Sequence, residues 1–494
     1  MDMEVLLNRL YDILVYDASA PMLFNTGLFL VLFVLFLLVY HSLKRFRNAK
    51  MLVVIAFSLY FYYKSSAECV FILIGVCLSD YLLGLWLGRL KRNWKRRLIV
   101  ALNVMLNVGM LVWFKYFNLL AEAFASITSK RFDPLEIILP AGISFFTFRS
   151  ISYMVDIYRR EIEPCRNLLD YTFFLTFFPP LLAGPVVRAK DMLPQIKANA
   201  MLSRRKTSEG LFLIMTGLIK KVVIADYISG NFVDRIFDNP ALYSGFENLM
   251  GCVGFTIQLY CDFSGYSDMA IGLALMLGYR FKINFDAPFK SQNPTEFWRR
   301  WHISLSLWLR DYLYIPLGGN RKGKFRAYFN QFITMVLGGL WHGASWMYII
   351  WGAYHGLLLV LHKTVRSIWR LPESMRGRAD IKAFNIVLTF ALIVVGFTFF
   401  RAPSLETVVM IGEQIAGNFH IDIAGQFVES YMMIVVAMAL GYIAHMTPKT
   451  WTAGASQAYM SMAAIWQALL LAAVLFVVVQ TRQSDLVAFI YLQY

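Results

Sequence analysis

Charge is scarce in this chain. Only 16% of its 494 residues are Asp, Glu, Lys or Arg, against about 25% in a soluble protein, which excludes a surface made for water. Long apolar runs recur from near one end to near the other, and 58% of the residues are hydrophobic. No segment is left that is long and polar enough for a soluble domain. The chain therefore reads as a single polytopic domain over residues 1–494, an integral membrane protein built of helices that satisfy their own backbone in lipid.

Other absences narrow the chemistry. The five cysteines (Cys69, Cys77, Cys165, Cys252, Cys261) show no CxxC spacing, and most stand in apolar surroundings. They read as free, packed thiols. There is no HExxH and no close histidine pair, so no metal is expected. A GxSxG elbow is also missing: DFSGYSD at 262–268 lacks the flanking glycine, and a serine hydrolase is not indicated. The first apolar run, Leu23 to Tyr40, has no basic region before it and no small-residue cleavage site after it, unlike a signal peptide. No internal repeat or low-complexity tract is found.

Positive charge, by contrast, is in excess. The formal net charge is +16, but the basic residues lie in short clusters between apolar runs and form no basic domain or tail. That distribution marks cytoplasmic loops beside membrane lipid and argues against nucleic acid as a partner. Lys44, Arg45, Arg47 and Lys50 follow the first run; Arg89, Lys91, Arg92, Lys95, Arg96 and Arg97 follow the third. If each run crosses once, both clusters are cytoplasmic and the N-terminus is outside, which in a bacterial inner membrane means periplasmic.

Between those clusters, Met51 to Tyr63 is too short for a span of about 20 residues, so its helix must draw in flanking residues. Leu98 to Leu120 is a further span. Ile137 to Ile157 and Tyr171 to Val187 are apolar yet carry Pro140, Gly142, Pro179, Pro180, Gly184 and Pro185. Such breakers predict re-entrant or kinked elements, because broken backbone at membrane depth needs protein or a water-filled cavity around it. Gly210 to Ala225, Met250 to Leu277, Asn330 to Tyr354, Ala383 to Phe400, Tyr431 to Ala444 and Ala463 to Val479 complete the set. About ten to twelve transmembrane helices are expected, plus re-entrant or interfacial pieces. Ser367 to Lys382 and Pro403 to Ile423 read as connecting loops.

Polar chemistry concentrates between Phe297 and Ser345. Read as one helix, Asn293 to Tyr314 puts Trp298, Trp301, Leu305, Trp308 and Tyr312 on an apolar stripe. Arg299, His302, Ser306 and Arg310 then share a polar stripe. The arginines alone fit lipid headgroups, whereas a histidine pointing into a cavity is a functional candidate. His342 ends the run LGGLW and precedes GAS, so Gly338, Gly339 and Gly343 allow close backbone approach around it. An imidazole of ordinary pKa near 6.5 is suited to take a proton from a hydroxyl or thiol; the alternative is a buried histidine that bonds a neighbouring helix. His355 follows in WGAYHG. Inside a long apolar segment, Asp262, near Tyr260, either orients a histidine or basic residue or forms an ion pair that fixes helix register. Asp156, with Arg149 and Arg159, invites the same two readings.

These segments together resemble the membrane-bound O-acyltransferase family, in its bacterial branch that acetylates exopolysaccharides such as alginate. The similarity is carried by LPAGISFFTFRSISYMVDIYR (139–159), FFPPLLAGPVVR (177–188), GLIKKVVIAD (217–226), QLYCDFSGYSDMAIG (258–272), FWRRWHISLSLWLRDYLYIPLGGNRKG (297–323) and GGLWHGASWMYIIWGAYHG (338–356). FFRAPS (399–404) and FIYLQY (489–494) also fit. The resemblance implies an all-α fold of helices around a central tunnel, reached by an acyl donor from the cytoplasm and by an acceptor from the other side. It places the family's histidine on His342, as general base, and its second polar position on His302, which positions the donor or stabilises developing charge. Trp298, Arg299, Trp301, Asn320, Trp341, Asp262, Tyr260 and His355 are the expected tunnel-lining or supporting residues. Acetyl-CoA is the implied donor, with no permanently bound cofactor, and a periplasmic acetyltransferase would complete delivery to a polysaccharide. A transporter or flippase is the main rival, since broken helices and buried charges also mark substrate pathways. A scaffold subunit that only anchors a secretion complex is the third reading.

Overall fold

The computed structural model describes residues 11–481 apart from 12, 19–20, 44, 199–201 and 369–376. Lys44, part of the Ser367 to Lys382 connection and the motif at 489–494 lie outside that set, as does the terminus assigned above to the periplasm. Among the described residues the chain is helical and contains no strand. The main helices are α1 (Gly27–Ser42), α2 (Arg47–Ser66), α3 (Val70–Arg89), α4 (Asn93–Ile127), α5 (Ile143–Arg159), α6 (Leu168–Thr176), α7 (Ala189–Lys197), α8 (Arg204–Leu218) and α9 (Gly245–Met276). They continue with α10 (Pro294–Arg300), α11 (Ile303–Leu309), α12 (Gly323–His342), α13 (Trp346–Ile368), α14 (Ala379–Arg401), α15 (Leu405–Gly417), α16 (Met432–Met446), α17 (Lys449–Ser461) and α18 (Ala464–Thr481).

Four stretches, Arg47–Arg89, Asn93–Ile127, Ala379–Arg401 and Ala464–Thr481, are long and apolar enough to cross a membrane; a fifth is added if the bent pair Ile421–Ser430 and Met432–Met446 forms one span. The short run at Met51 to Tyr63 does draw in its flanks, since α2 extends over 20 residues. All five cysteines are free thiols.

Contacts divide the chain into two compact units, one running to Thr207 and including Leu273–Phe281, the other covering Ser208–Gly272 and the residues from Lys282 onward. In the first unit the proline-rich stretch after α6 leaves the helix at Phe177, and nearly every residue through Ala189 is buried. Part of its backbone is satisfied by side chains. Arg149 donates its guanidinium to the carbonyls of Leu175 and Pro180, and Ser58 Oγ accepts from the Phe178 amide at 3.2 Å. Non-helical backbone at such depth needs partners of this kind. Arg149 is thus committed to the broken stretch. A second polar knot joins α3 to α4 and α6: Asn103 donates to Asp80 Oδ1 at 2.7 Å and Tyr171 to Asp80 Oδ2 at 2.9 Å.

In the second unit α8 and α9 approach closely at paired glycines. A Cβ on Gly217 would fall 2.6 Å from the Gly265 carbonyl oxygen, so only small residues permit this spacing. Beyond α8 the helix widens into a π turn over Ile219–Asp226. There Lys221 Nζ lies 2.6 Å from both Asp226 and Asp262, while Lys220 pairs with Asp268 at 2.7 Å.

Three expectations need correction. Asn293 to Tyr314 is not one helix: α10 stops at Arg300, α11 begins at Ile303, and the residues after it form a π turn. Asn330 to Tyr354 is not one crossing but the inner half of an antiparallel hairpin, α12 and α13, which turns after His342. Pro403 to Ile423 is not a loop throughout. Ser404 caps α15, its Oγ accepting from the Thr407 amide at 3.2 Å, an N-terminal signal that offsets the preceding proline.

Candidate active site

The break between α10 and α11 has a specific cause. Asn293 caps α10, accepting the Glu296 amide at 2.9 Å, with Pro294 at the first helical position. After about two turns the backbone bonds outward instead: the Asp286 amide donates to Arg300 O and the Ile303 amide to Asn284 O, both at 2.9 Å. His302 absorbs the change of direction at φ 44°, ψ 55°, the left-handed region that is uncommon for a residue with a Cβ. The polar stripe expected from a continuous helix is therefore dismantled. Arg299 and Arg310 are exposed, whereas His302 is wholly buried.

His302 is held on one side by Asn284, whose Oδ1 lies 3.1 Å from Nδ1. The edge of Phe263 meets it at a centroid distance of 4.5 Å, and Trp341 stands 6.2 Å away. Trp341 also faces His342 at 5.1 Å. His342 closes α12, with Trp351 at 5.0 Å and Phe400 at 5.3 Å completing an aromatic wall. Trp351 in turn lies 4.9 Å from His355, which Trp298 touches at 5.3 Å. The three histidines are thus strung along two indoles.

The glycines beside His342 are used as their positions suggest. A Cβ on Gly343 would meet Tyr348 Cε2 at 2.2 Å, and one on Gly339 would meet the Tyr348 carbonyl oxygen at 2.2 Å and Gly352 Cα at 3.1 Å. Close approach of α12 to α13 is what brings Trp351 against His342. Gly338 is less constrained, facing only Leu309 Cδ1 at 3.1 Å.

The remaining sequence candidates divide. Trp298, Trp301 and Trp341 join the cluster; Trp301 packs on Phe285 and Phe397 at 5.0 and 4.9 Å. Tyr260 packs within 6.5 Å of Trp301, between Phe289 and His445, and Lys220 lies 5.9 Å over its ring. Asp262 pairs with Lys221, a basic residue, which is compatible with either of its two sequence readings. Asn320 is exposed in the turn before α12 and is not brought to the histidines. Among the described residues no three His, Cys, Asp or Glu side chains gather to hold a metal.

Asn284, Trp351, Phe400 and Lys221 were not singled out from sequence. Trp351 stands in the motif that held His355, and Phe400 in FFRAPS; Asn284, in KINFDAP, carried no signal. A cavity of about 210 Å³ lies beside the cluster, lined by Trp298, Ser306, Arg310, Gln331, Met335 and Lys363 among others. Trp298 borders both this cavity and His355.

Fold and site together define a helical membrane protein with buried imidazoles enclosed in aromatic walls. Comparison with known proteins makes this specific. A family model described as MBOAT, membrane-bound O-acyltransferase family, matches residues 160–400. The chain is 44% identical to the probable alginate O-acetylase AlgI of Pseudomonas syringae pv. tomato, over 78% of this chain and 73% of that protein. It is 36% identical to the peptidoglycan O-acetyltransferase of Helicobacter pylori, over 80% of each. A teichoic acid D-alanyltransferase of Streptococcus thermophilus matches at 29% identity, over 52% of this chain and 67% of that protein. The chain belongs to the membrane-bound O-acyltransferase family and is an O-acyltransferase. The transporter and scaffold readings give way to it.

Proposed function

We propose that the enzyme takes an acetyl group from acetyl-CoA on the cytoplasmic side of a bacterial inner membrane and passes it across for O-acetylation of an exopolysaccharide such as alginate. His342 is the general base. Its imidazole takes the proton of an acceptor hydroxyl as that oxygen attacks the thioester carbonyl, and the thiolate of CoA leaves and recovers the proton. His302 positions the donor or stabilises the charge that develops. A periplasmic acetyltransferase completes delivery to the polymer.

The observation that carries the reading is the enclosure of His342 by Trp341, Trp351 and Phe400 at the end of α12. An imidazole screened from bulk water can move a proton without competing hydrolysis of the thioester. The cavity beside Trp298 supports a donor of this kind, since Arg310 and Lys363 are cations suited to the phosphates of CoA and Trp298 and Met335 can pack against the methylene groups of its pantetheine arm. The relatives named for alginate and peptidoglycan acetylation support a polysaccharide acceptor.

Inverted membrane vesicles carrying the protein and its polymer-synthesis machinery, supplied with isotopically labelled acetyl-CoA, test the reading. Release of free CoA thiol matched by labelled acetyl esters on the polymer is expected. Entry of label without ester formation would contradict it.

A further inference from the structure

Asn284 lies eighteen positions before His302, and both its amide atoms are spoken for. Oδ1 receives the backbone N–H of Ser304 at 3.3 Å and the hydroxyl of Ser304 at 2.8 Å, while Nδ2 donates to Ser267 Oγ at 3.2 Å. A backbone N–H has only one role, that of donor, so the atom opposite Ser304 must be the carbonyl oxygen. The amide cannot be turned over without setting Nδ2 against another donor. The same Oδ1 lies 3.1 Å from Nδ1 of His302. That nitrogen therefore donates. In a neutral imidazole one nitrogen carries hydrogen and the other accepts, and the partner of one decides the state of both.

We infer that Asn284 is a positioning residue that locks His302 with its hydrogen on Nδ1, leaving Nε2 as the acceptor. The consequence rests on the acyl-transfer reading. Of the two roles open to His302, donating to a developing oxyanion from a neutral ring would need hydrogen on Nε2. With hydrogen on Nδ1 a neutral His302 can only accept at Nε2, so within that reading its role is to receive a hydrogen bond from a substrate O–H or N–H and not to donate one to an oxyanion. The support is built in three layers: Ser267 on α9 holds the amide nitrogen, Ser304 on α11 fixes the amide oxygen, and the Ile303 amide bonded to Asn284 O ties the backbones together. Asn284, Ser267, Ser304 and His302 are all buried, so water is a poor competitor for these bonds.

Nitrogen NMR of the full-length protein in nanodiscs, labelled with 15N-histidine, reads the tautomer directly; the His302 signals are those lost in His302→Gln. Hydrogen on Nδ1 in the wild type is expected, and hydrogen on Nε2 overturns the inference whatever the variants do. Asn284→Leu is expected to give mixed tautomers and to lower polymer acetylation roughly 10- to 100-fold, by analogy with the range for residues that orient metal-ligating histidines. Asn284→Asp, whose carboxylate still accepts from Nδ1, should keep the tautomer. If Asn284→Leu does not fold, Ser267→Ala, which removes only the brace on the amide nitrogen, is expected to show the same change in smaller degree; an unaltered tautomer and unaltered acetylation in that variant count against the inference. Wild-type acetylation in Asn284→Leu beside an inactive His342→Gln overturns the positioning role alone. Activity retained in His342→Gln would instead reject the base assignment and leave the tautomer result standing.

Discussion

The imidazole of His342 stands edge-on to the indole of Trp351, with ring centroids 5.0 Å apart and planes at 89°. The contact is made possible by glycine. α12 ends at His342, α13 begins four residues later, and the two helices lie close enough that Gly339 all but touches the backbone of Tyr348 and Gly352. Trp351 also lies against His355, so one side chain packs on two imidazoles.

Trp351→Phe keeps an aromatic ring at this position and should leave a folded protein. It shifts the wall against His342 by a fraction of a ring width, and a misplacement of about 1 Å can cost a catalyst on the order of 100-fold. Polymer acetylation is expected to fall by between about 10- and 100-fold, with expression and thermal melting near wild type. Trp351→Ala should instead cost about 3–5 kcal/mol through the cavity it leaves, seen as a lower melting temperature.

Gly339→Ala forces a methyl group to within 2.2 Å of the Tyr348 carbonyl oxygen. No flexible side chain can yield there, so the helices must separate. A loss of about 1–3 kcal/mol is expected from overpacking, together with loss of acetylation, because Trp351 moves with α13. Gly338→Ala meets only the end of Leu309 and should be tolerated. Melting curves in detergent compare the two.

Lys221→Met removes the ammonium that both Asp226 and Asp262 face at 2.6 Å. Taking one member from a buried ion cluster costs about 3–5 kcal/mol, and little folded protein is expected. Adding Asp226→Asn and Asp262→Asn to the same chain should restore much of the yield, since no buried carboxylate is then left facing a hydrocarbon chain. Size-exclusion profiles of the single and triple variants check this. Full rescue of acetylation in the triple variant would mark the cluster as purely structural.

Local features were legible in the sequence and long-range ones were not. His342 and its glycines could be read because the residues that shape the turn are its chain neighbours. The glycine-bounded turn at His342 was legible, but the reversal of the chain there was hidden: both arms of the hairpin are apolar, so Asn330 to Tyr354 reads as one crossing. The same holds at His302. Trp298, Trp301, Leu305 and Trp308 keep helical spacing across the break, and its cause, bonding to Asn284 and Asp286, comes from residues 14 and 19 positions away that no periodicity connects to it. Buried charge told only that a partner must exist. Asp262 found Lys221, forty-one positions earlier, in a π turn that apolar patterning does not announce. α15 was missed because Pro403 suggested a loop, while Ser404 one residue later caps a helix.

The central claim, that His342 removes the acceptor proton, is tested most directly by the acetyl content of the exported polysaccharide, measured by proton NMR in a strain whose only copy carries His342→Ala. The account predicts a protein that inserts and folds as wild type, with acetyl content reduced by at least about 100-fold, the lower end of what a general base contributes. Acetylation at the wild-type level by that folded variant would contradict it.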